Sequence, residues 1–314
     1  MTKIEELARK GIHRSGSPER GFTYAHADGS EVSAEERARI EELKIPPAWT
    51  EVAISLSPGA RLQAVGKDTA GRWQYRYHES FVRRGQRRKF ERLLAFSRAM
   101  PRARARVMRR LRSGHELTRE RVLAGMVRIL GGTYLRPGSA EYTERNGSYG
   151  LTTLRRRHVS TSGDRVRFDF PGKGGKRQLV ELRDRPAARL VRQLLELPGG
   201  PLFRYRGPDG RLVPVTSAEL NAAIKELLGG PFTAKDFRTW AGTFVCAAEL
   251  MHVAAEMPRS SRERRRIVVQ AIRKTASVLQ NTPTVARASY IDPRVIERFE
   301  GGRPPDHPVV VANA

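Results

Sequence analysis

The spacing of hydrophobic positions changes part-way along the chain. From residue 21 to about 77, short alternating runs such as Glu51-Val-Ala-Ile-Ser-Leu and Arg61-Leu-Gln-Ala-Val are interrupted by Ser57-Pro-Gly and by the stretch from Asp68 to Gly71. Period-two alternation broken by Pro and Gly predicts short strands and tight turns. Beyond Tyr77 the spacing becomes helical. It predicts basic helices over 89–99 and 101–111, and a longer amphipathic helix over 118–130. Two strands follow over 166–170 and 178–182, joined by Pro171-Gly-Lys-Gly-Gly-Lys, a loop with enough glycine to reverse the chain and lysines at its tip. Helices resume over 187–195, over 217–228 behind the capping spacing Thr216-x-x-Glu219, and over 235–250 behind Thr233-x-x-Asp236. The last two are a helix over 261–279 and a short one opening at Thr282-Pro283, which presents Tyr290. The pattern predicts an α+β chain, with a small β-rich N-terminal domain over 1–84 and a larger, mainly α-helical domain over 85–314 that carries the hairpin. There is no internal repeat, and the tail over 301–314 reads as frayed.

Composition adds a partner. The 314 residues include 59 Lys and Arg against 33 Asp and Glu, a formal charge of +26. Only ten of the cations are Lys. The rest are Arg, whose planar fork grips a phosphate through two hydrogen bonds at once. A polyanion such as nucleic acid is the natural partner, although a GC-rich genome also raises Arg content. The single Cys246 excludes a disulfide framework within the chain and reads as a core thiol. With no apolar run of about eighteen residues and no apolar leader behind the first charges, the expectation is a soluble, cytoplasmic protein without a membrane partner. The absence of a Cys/His cluster and of a glycine-rich loop opening a helix predicts no metal, no nucleotide triphosphate site and no small-molecule cofactor.

Metal-free attack on a phosphodiester requires a nucleophile, cations for the growing charge on the non-bridging oxygens, and an acid for the departing oxygen. Residues suited to each part are present. Arg136 lies in Tyr134-Leu-Arg-Pro-Gly between an apolar helix and a turn. Arg238 lies in Lys235-Asp-Phe-Arg-Thr-Trp-Ala-Gly-Thr, within a helix otherwise built for packing. Lys173 sits at the hairpin tip, and Tyr290 follows the short helix in Ala288-Ser-Tyr-Ile-Asp-Pro. Taken singly these are ordinary residues. A lone Tyr, such as Tyr205, is more often a half-buried packing residue, the arginines could serve helix-end ion pairs, and Lys173 could be a solvated turn residue.

At these sites the sequence resembles the type IB DNA topoisomerases in their compact poxviral and bacterial form. Ile45-Pro-Pro-Ala-Trp, Gly71-Arg-Trp-Gln-Tyr-Arg-Tyr-His, Leu135-Arg-Pro-Gly, Tyr149-Gly-Leu-Thr-Thr-Leu, Phe170-Pro-Gly-Lys, the Lys235 to Thr243 motif and Ser289-Tyr-Ile-Asp-Pro occur in family order across most of the chain. The resemblance implies a fold shared by topoisomerases IB and tyrosine recombinases, and relaxation of positive and negative supercoils through a 3′-phosphotyrosyl intermediate, strand swivelling and religation, without ATP or metal. It makes Tyr290 the nucleophile, Arg136 and Arg238 the braces of the transition state, and Lys173, on its β-hairpin, the acid for the 5′ oxygen. Where the family carries a histidine ahead of the tyrosine, this chain has Asn281. Asparagine donates a hydrogen bond but carries neither proton nor charge. Asn281 therefore reads as an oxyanion donor, as the N-cap of the helix at Thr282-Pro283, or as both.

The resemblance also places Arg72, Gln74, Tyr75, Tyr77, Tyr142 and Lys235 against duplex DNA, held by a monomeric, nucleoid-associated clamp. Strand alternation separates Arg72, Gln74 and Arg76 from Trp73, Tyr75 and Tyr77, so either the aromatic side packs inward or a bend turns one tyrosine out. The basic runs over 102–112 and 262–266 are expected along the DNA backbone. His158 and His252 read as packing or surface residues. The rivals are a tyrosine site-specific recombinase, whose N-terminal part would be helical, and a non-catalytic basic nucleoid-binding protein.

Overall fold

A computed structural model describes residues 2–254 and 256–305, so most of the tail expected to fray, 306–314, lies outside the described residues. The chain divides into two compact units, 1–89 and 90–314.

The first unit is a five-stranded antiparallel sheet in the order β2-β1-β3-β4-β5, built from β1 (Ile12–Ser17), β2 (Gly21–Ala25), β3 (Thr50–Ile54), β4 (Leu62–Lys67) and β5 (Trp73–Tyr77). Two helices that alternation alone does not reveal accompany it, α1 (Lys3–Lys10) and α2 (Ala34–Glu42). Each opens on a complete capping box, Thr2 with Glu5 and Ser33 with Glu36, in which side chain and backbone satisfy each other's free donors. Ile4 and Leu7 of α1 pack on Ala53, Leu62 and Val65, whereas Ile40 of α2 packs with Ile12, Val52, Ile54 and Ala64. With helices on both faces, β4 is apolar along most of its length rather than alternating.

The second unit is mainly helical. Its helices are the greater part of α3 (Glu79–Arg112), then α4 (Arg119–Thr133), α5 (Ala140–Asn146), α6 (Arg185–Glu196), α7 (Ser217–Leu228), α8 (Ala234–Ala254), α9 (Ser261–Leu279), α10 (Pro283–Tyr290) and α11 (Pro293–Glu300). A three-stranded antiparallel sheet, β6 (Val159–Ser162), β7 (Arg165–Pro171) and β8 (Arg177–Arg183), adds one strand to the expected hairpin, and β9 (Arg204–Arg206) pairs with β10 (Leu212–Pro214). Where the pattern predicts two helices meeting at Pro101, α3 runs straight through. Proline removes one backbone donor. Phe90, Leu93 and Phe96 before it, and Ala103, Val107 and Leu111 after it, are buried in one core, so packing carries the helix across the defect.

Two cores support this unit. The larger joins α3, α4, α6, α7 and the first half of α8. The smaller joins the second half of α8 to α9, α10 and α11 through Cys246, Ala247, Leu250, Ile272, Ala286, Ile291 and Phe299. Cys246 is fully buried there, and burial pushes its thiol up to about 12. Helix α8 thus crosses from one core to the other. It carries Arg238 on the way.

Candidate active site

Helix α8 is held from several sides. Thr233 donates from its amide and hydroxyl to Asp236 Oδ2 at 2.7 and 2.9 Å, and Arg92 of α3 donates to the same oxygen at 3.0 Å. Phe96 meets Phe232 and Phe237 edge-on, and Trp240 Nε1 donates to Ser97 Oγ at 2.8 Å. Aromatic pairs of this kind contribute about 0.5–1.5 kcal/mol each beyond their buried area. The result is a fixed Arg238, only 4% exposed.

Arg238 spends its two terminal nitrogens on structure, donating through Nη1 to the Tyr134 carbonyl and through Nη2 to the Leu279 carbonyl at 2.9 Å. Those carbonyls end α4 and α9. Both helices terminate in a left-handed residue other than glycine, Tyr134 (φ 54°) and Gln280 (φ 49°). Such a conformation costs about 1 kcal/mol or more. Here the turn after each helix leads directly to a site residue, Arg136 after Tyr134 and Asn281 after Gln280.

Arg136 and Asn281 meet, Arg136 Nη2 donating to Asn281 Oδ1 at 2.5 Å. The Arg136 turn is clamped by the Tyr149-Gly-Leu-Thr-Thr-Leu segment. Leu151 N donates to the Arg136 carbonyl at 2.8 Å, and Thr152 donates to the Pro137 carbonyl from its amide at 2.7 Å and its hydroxyl at 2.9 Å. A side chain on Gly150 would lie 2.7 Å from the Arg136 carbonyl, so the motif needs glycine for close approach. The reading of Asn281 as an N-cap is corrected: the cap of α10 is Thr282, whose side chain accepts from Val285 N. Asn281 bonds Arg136 instead, and its Nδ2 is buried without an acceptor.

Tyr290, the last residue of α10, places its ring under the Arg238 guanidinium, 4.9 Å from Cζ to the centroid. Its backbone is seated on α8. Thr243 Oγ1 donates to the Tyr290 carbonyl at 3.2 Å and accepts from Asp292 N at 3.1 Å. A Cβ on Gly242 would stand 2.6 Å from the Tyr290 carbonyl oxygen and 2.8 Å from its Cβ. Gly242 and Thr243 were not among the expected site residues. They lie inside the Lys235 to Thr243 motif, and only the fold reveals that the tyrosine rests on its far end.

The charges act together. Burial pushes the Tyr290 phenol up, but Arg238, then Arg136 and Lys235, outweigh it and hold its pKa below the ordinary tyrosine value. Burial, and Arg136 nearby, in turn pull the Arg238 guanidinium below its own. No carboxylate pairs with Arg136 or Arg238 among the described residues, and Arg238 Nε, like Asn281 Nδ2, is buried without an acceptor. Unmet buried donors cost about 1–3 kcal/mol each, a cost that an incoming oxyanion removes.

Lys173 is not among the residues gathered at Tyr290. It is exposed on a 3-10 turn, Lys173–Gly175, between β7 and β8. The strands next to that turn are tied to the site: Gln280 Nε2 donates to the Leu179 carbonyl at 2.8 Å and Tyr149 N to the Pro171 carbonyl at 2.8 Å. Lys235 is exposed, and Tyr142 is half-buried on α5. His158 is buried with its ring 4.3 Å from that of Tyr149, and His252 is exposed.

In the first unit, Trp73 packs against Ala53, Leu62 and Val65, but Tyr75 and Tyr77 are 43% and 40% exposed on the edge strand β5 and stack at 6.0 Å. The two alternatives thus divide along the strand: the first aromatic packs inward, the next two face out. A register shift in β4 opposite Arg76 and Tyr77 accompanies this. Asp68 holds Arg72 Nε at 3.0 Å and Gln74 Nε2 at 2.8 Å.

A tyrosine lies beneath a buried arginine, near a second arginine that is bonded to an amide, and the first arginine and the amide each keep a buried donor without an acceptor, an arrangement suited to an anionic group such as a phosphate ester. Comparison with known proteins makes this specific. Residues 79–301 match the family described as eukaryotic DNA topoisomerase I, catalytic core, and residues 21–68 match the bacterial DNA topoisomerase IB N-terminal domain. The chain is 30% identical to DNA topoisomerase 1B of Acanthamoeba polyphaga mimivirus over 305 residues, covering 96% of this chain and 90% of that protein. It is 22% identical to DNA topoisomerase 1B of Vaccinia virus (strain Copenhagen) and to DNA topoisomerase I of Monkeypox virus, in each case over 82% of this chain and 80% of the viral one. The chain belongs to the type IB DNA topoisomerase family, in a bacterial form, and is an isomerase acting on DNA. Its sheet-built N-terminal unit is unlike the helical one that the recombinase reading required.

Proposed function

We propose that Tyr290 is the nucleophile. Its Oη attacks a DNA phosphorus, the bond from phosphorus to the 5′ oxygen breaks, and the strand is left as a 3′-phosphotyrosyl ester and a free 5′-hydroxyl. Lys173 gives a proton to that departing oxygen. Rotation of the free end removes supercoils of either sign, and reversal of the same step reseals the strand, so the bond energy is conserved and no ATP is consumed. Arg136, Arg238 and Asn281 stabilise the charge that grows on the non-bridging oxygens. The observation that carries this reading is the Arg238 guanidinium over the Tyr290 ring, with its own Nε and Asn281 Nδ2 buried without acceptors.

Exposed Tyr75 and Tyr77, with Arg72, Gln74, Tyr142 and Lys235, are the DNA contacts in this reading, and the chain acts as a monomeric clamp on nucleoid DNA. The hairpin's Lys173 reaches the reacting phosphate when duplex is bound, its exposure on a glycine-rich turn supporting such movement. The test is covalent trapping: denaturing wild-type protein on nicked DNA should leave protein attached at a 3′ end, and Tyr290→Phe should bind DNA yet leave none. Trapping by Tyr290→Phe at the wild-type level would remove Tyr290 from its role. Relaxation of both supercoil signs should persist in EDTA without ATP.

A further inference from the structure

A second cationic site stands at the far end of α4 from Arg136. A cavity of about 400 Å³ is lined by Leu111 and Arg112 at the end of α3, Gly114 and His115 of the following loop, Arg121 of α4, and Arg185, Pro186 and Arg189 of α6. Four guanidiniums line this cavity and no carboxylate does. Arg121 is 2% exposed. It donates to the carbonyls of Leu111, His115 and Glu116 at 3.4, 3.0 and 3.0 Å and to Gln193 Oε1 at 2.8 Å, so its hydrogen bonds are met while its charge is not. Arg112, Arg185 and Arg189 are exposed around it, and no ion pair engages any of the four among the described residues. Burial, with the Arg189 cation beside it, pulls the Arg121 guanidinium below its ordinary value. Charges of one sign gathered in a concavity raise the local concentration of counter-ions. A buried charge without an opposite partner is costly, and an anion relieves that cost.

We propose that this cavity binds a compact phosphate dianion, free or as the terminal group of a small phosphorylated molecule. A bidentate arginine fork matches phosphate oxygens, and a buried arginine with exposed ones around it suits an end group better than a continuous backbone, whose phosphates lie on a convex ridge. The site is separate from the catalytic one. From Arg121 to the end of α4 is roughly 18 Å at the rise of an α-helix.

The test uses the full chain and pyrophosphate, titrated calorimetrically at constant ionic strength into wild type, Arg136→Ala and the double variant Arg112→Gln/Arg189→Gln, with Arg189→Gln alone as a milder change. All are first checked by circular dichroism and Tm. Binding should survive in Arg136→Ala and weaken by about tenfold or more in the double variant, with Arg189→Gln between, as expected when charge-assisted hydrogen bonds are removed. No binding by wild type, equal binding by the folded double variant, or loss in Arg136→Ala instead would each overturn the proposal. Saturating duplex DNA distinguishes the sources: pyrophosphate should still bind. Its displacement by DNA, with loss of DNA affinity in the double variant, would assign the arginines to the DNA backbone and overturn the small-anion reading.

Discussion

Gly242→Ala tests whether the seat of the tyrosine controls the chemistry. The added Cβ would meet the Tyr290 carbonyl oxygen at 2.6 Å and the Tyr290 Cβ at 2.8 Å. Ordinary contact begins at 3.4 Å, so the end of α10 must retreat by about 0.8 Å, a displacement of the size that costs on the order of a hundredfold in rate when it separates reacting groups. Neither neighbour can swing aside, because one belongs to the backbone and the other is fixed to it. Retreat also loosens the bond from Thr243 Oγ1 to the Tyr290 carbonyl. Overpacking of this kind destabilises by about 1–3 kcal/mol, which a Tm measurement registers separately from the chemistry. The assay is single-turnover cleavage of a nicked or suicide duplex at saturating enzyme, with DNA affinity measured in parallel. Cleavage should fall about a hundredfold with affinity near wild type. Gly131→Ala is the control, since its Cβ would meet Phe237 at an ordinary 3.6 Å; it should leave cleavage intact. Wild-type cleavage by folded Gly242→Ala would refute the argument that this glycine positions Tyr290.

Three other variants probe the charges. Lys235→Ala removes one of the cations that hold the Tyr290 phenol below its ordinary value; with less stabilisation of the phenolate the pKa rises, so the rise of cleavage rate with pH should move to higher pH, and an unmoved profile would exclude Lys235 from the electrostatics. Asn281→Asp replaces a buried donor with a carboxylate facing phosphate and should lower cleavage by on the order of a hundredfold, as loss of an oxyanion donor does, whereas Asn281→His keeps a donor and should retain activity; equal rates for the two would exclude a hydrogen bond from residue 281. Asp68, its carboxyl held at about 2 chiefly by its bond to Arg72, restrains Arg72 and Gln74. Asp68→Asn should tighten DNA binding and steepen its salt dependence by about one counter-ion; unchanged affinity and slope in a filter-binding titration would show that these side chains do not meet DNA.

The longer helices after residue 118 were legible because they carry both an apolar period and a start signal, whereas α5 and α11, of seven and eight residues, were not expected, and the chain does not end its helices at Tyr290. Helix α7 begins behind Thr216 with its capping box and α9 ends at Leu279, as the pattern predicts. The first two helices were missed for the opposite reason. They are short, with no buried residue in α1 and only Ile40 in α2, so the apolar period is weak even though both capping boxes stand in the text. Pro101 misled because one missing hydrogen bond is a local cost, whereas the buried residues on either side of it are a sum over the whole helix. Strand β6 has only four residues and a single buried one, too short for alternation to register.

For the site, the sequence names residues but not distances. Arg136, Arg238, Asn281 and Tyr290 are spread over more than 150 positions, and what brings them together is a pair of left-handed helix ends, at Tyr134 and Gln280, that no glycine announces. Each end leads to a site residue and gives a backbone carbonyl, that of Tyr134 or of Leu279, to Arg238, so in the proposed mechanism Arg238 serves both as a strut and as a cation. This dual use has a consequence for the division of labour. Arg238 is held by the fold whether or not a phosphate is present, and Tyr290 lies against it, so in the proposed mechanism the nucleophile and its electrostatic support are assembled in advance. The proposed acid is built differently. Lys173 stands on an exposed turn and is followed by left-handed Gly174 and Gly175, whereas the strands on either side are fixed by Val166, Phe168 and Phe170 in the core and by the bonds to Pro171 and Leu179. In that mechanism, an attacking group assembled in advance and a proton donor on an exposed turn would tie cleavage to the arrival of duplex. Straining that turn, by Gly174→Ala at φ 73°, should therefore displace Lys173 and slow cleavage while leaving the Tyr290 pKa unchanged; a shift in that pKa would mean that hairpin and nucleophile are coupled after all.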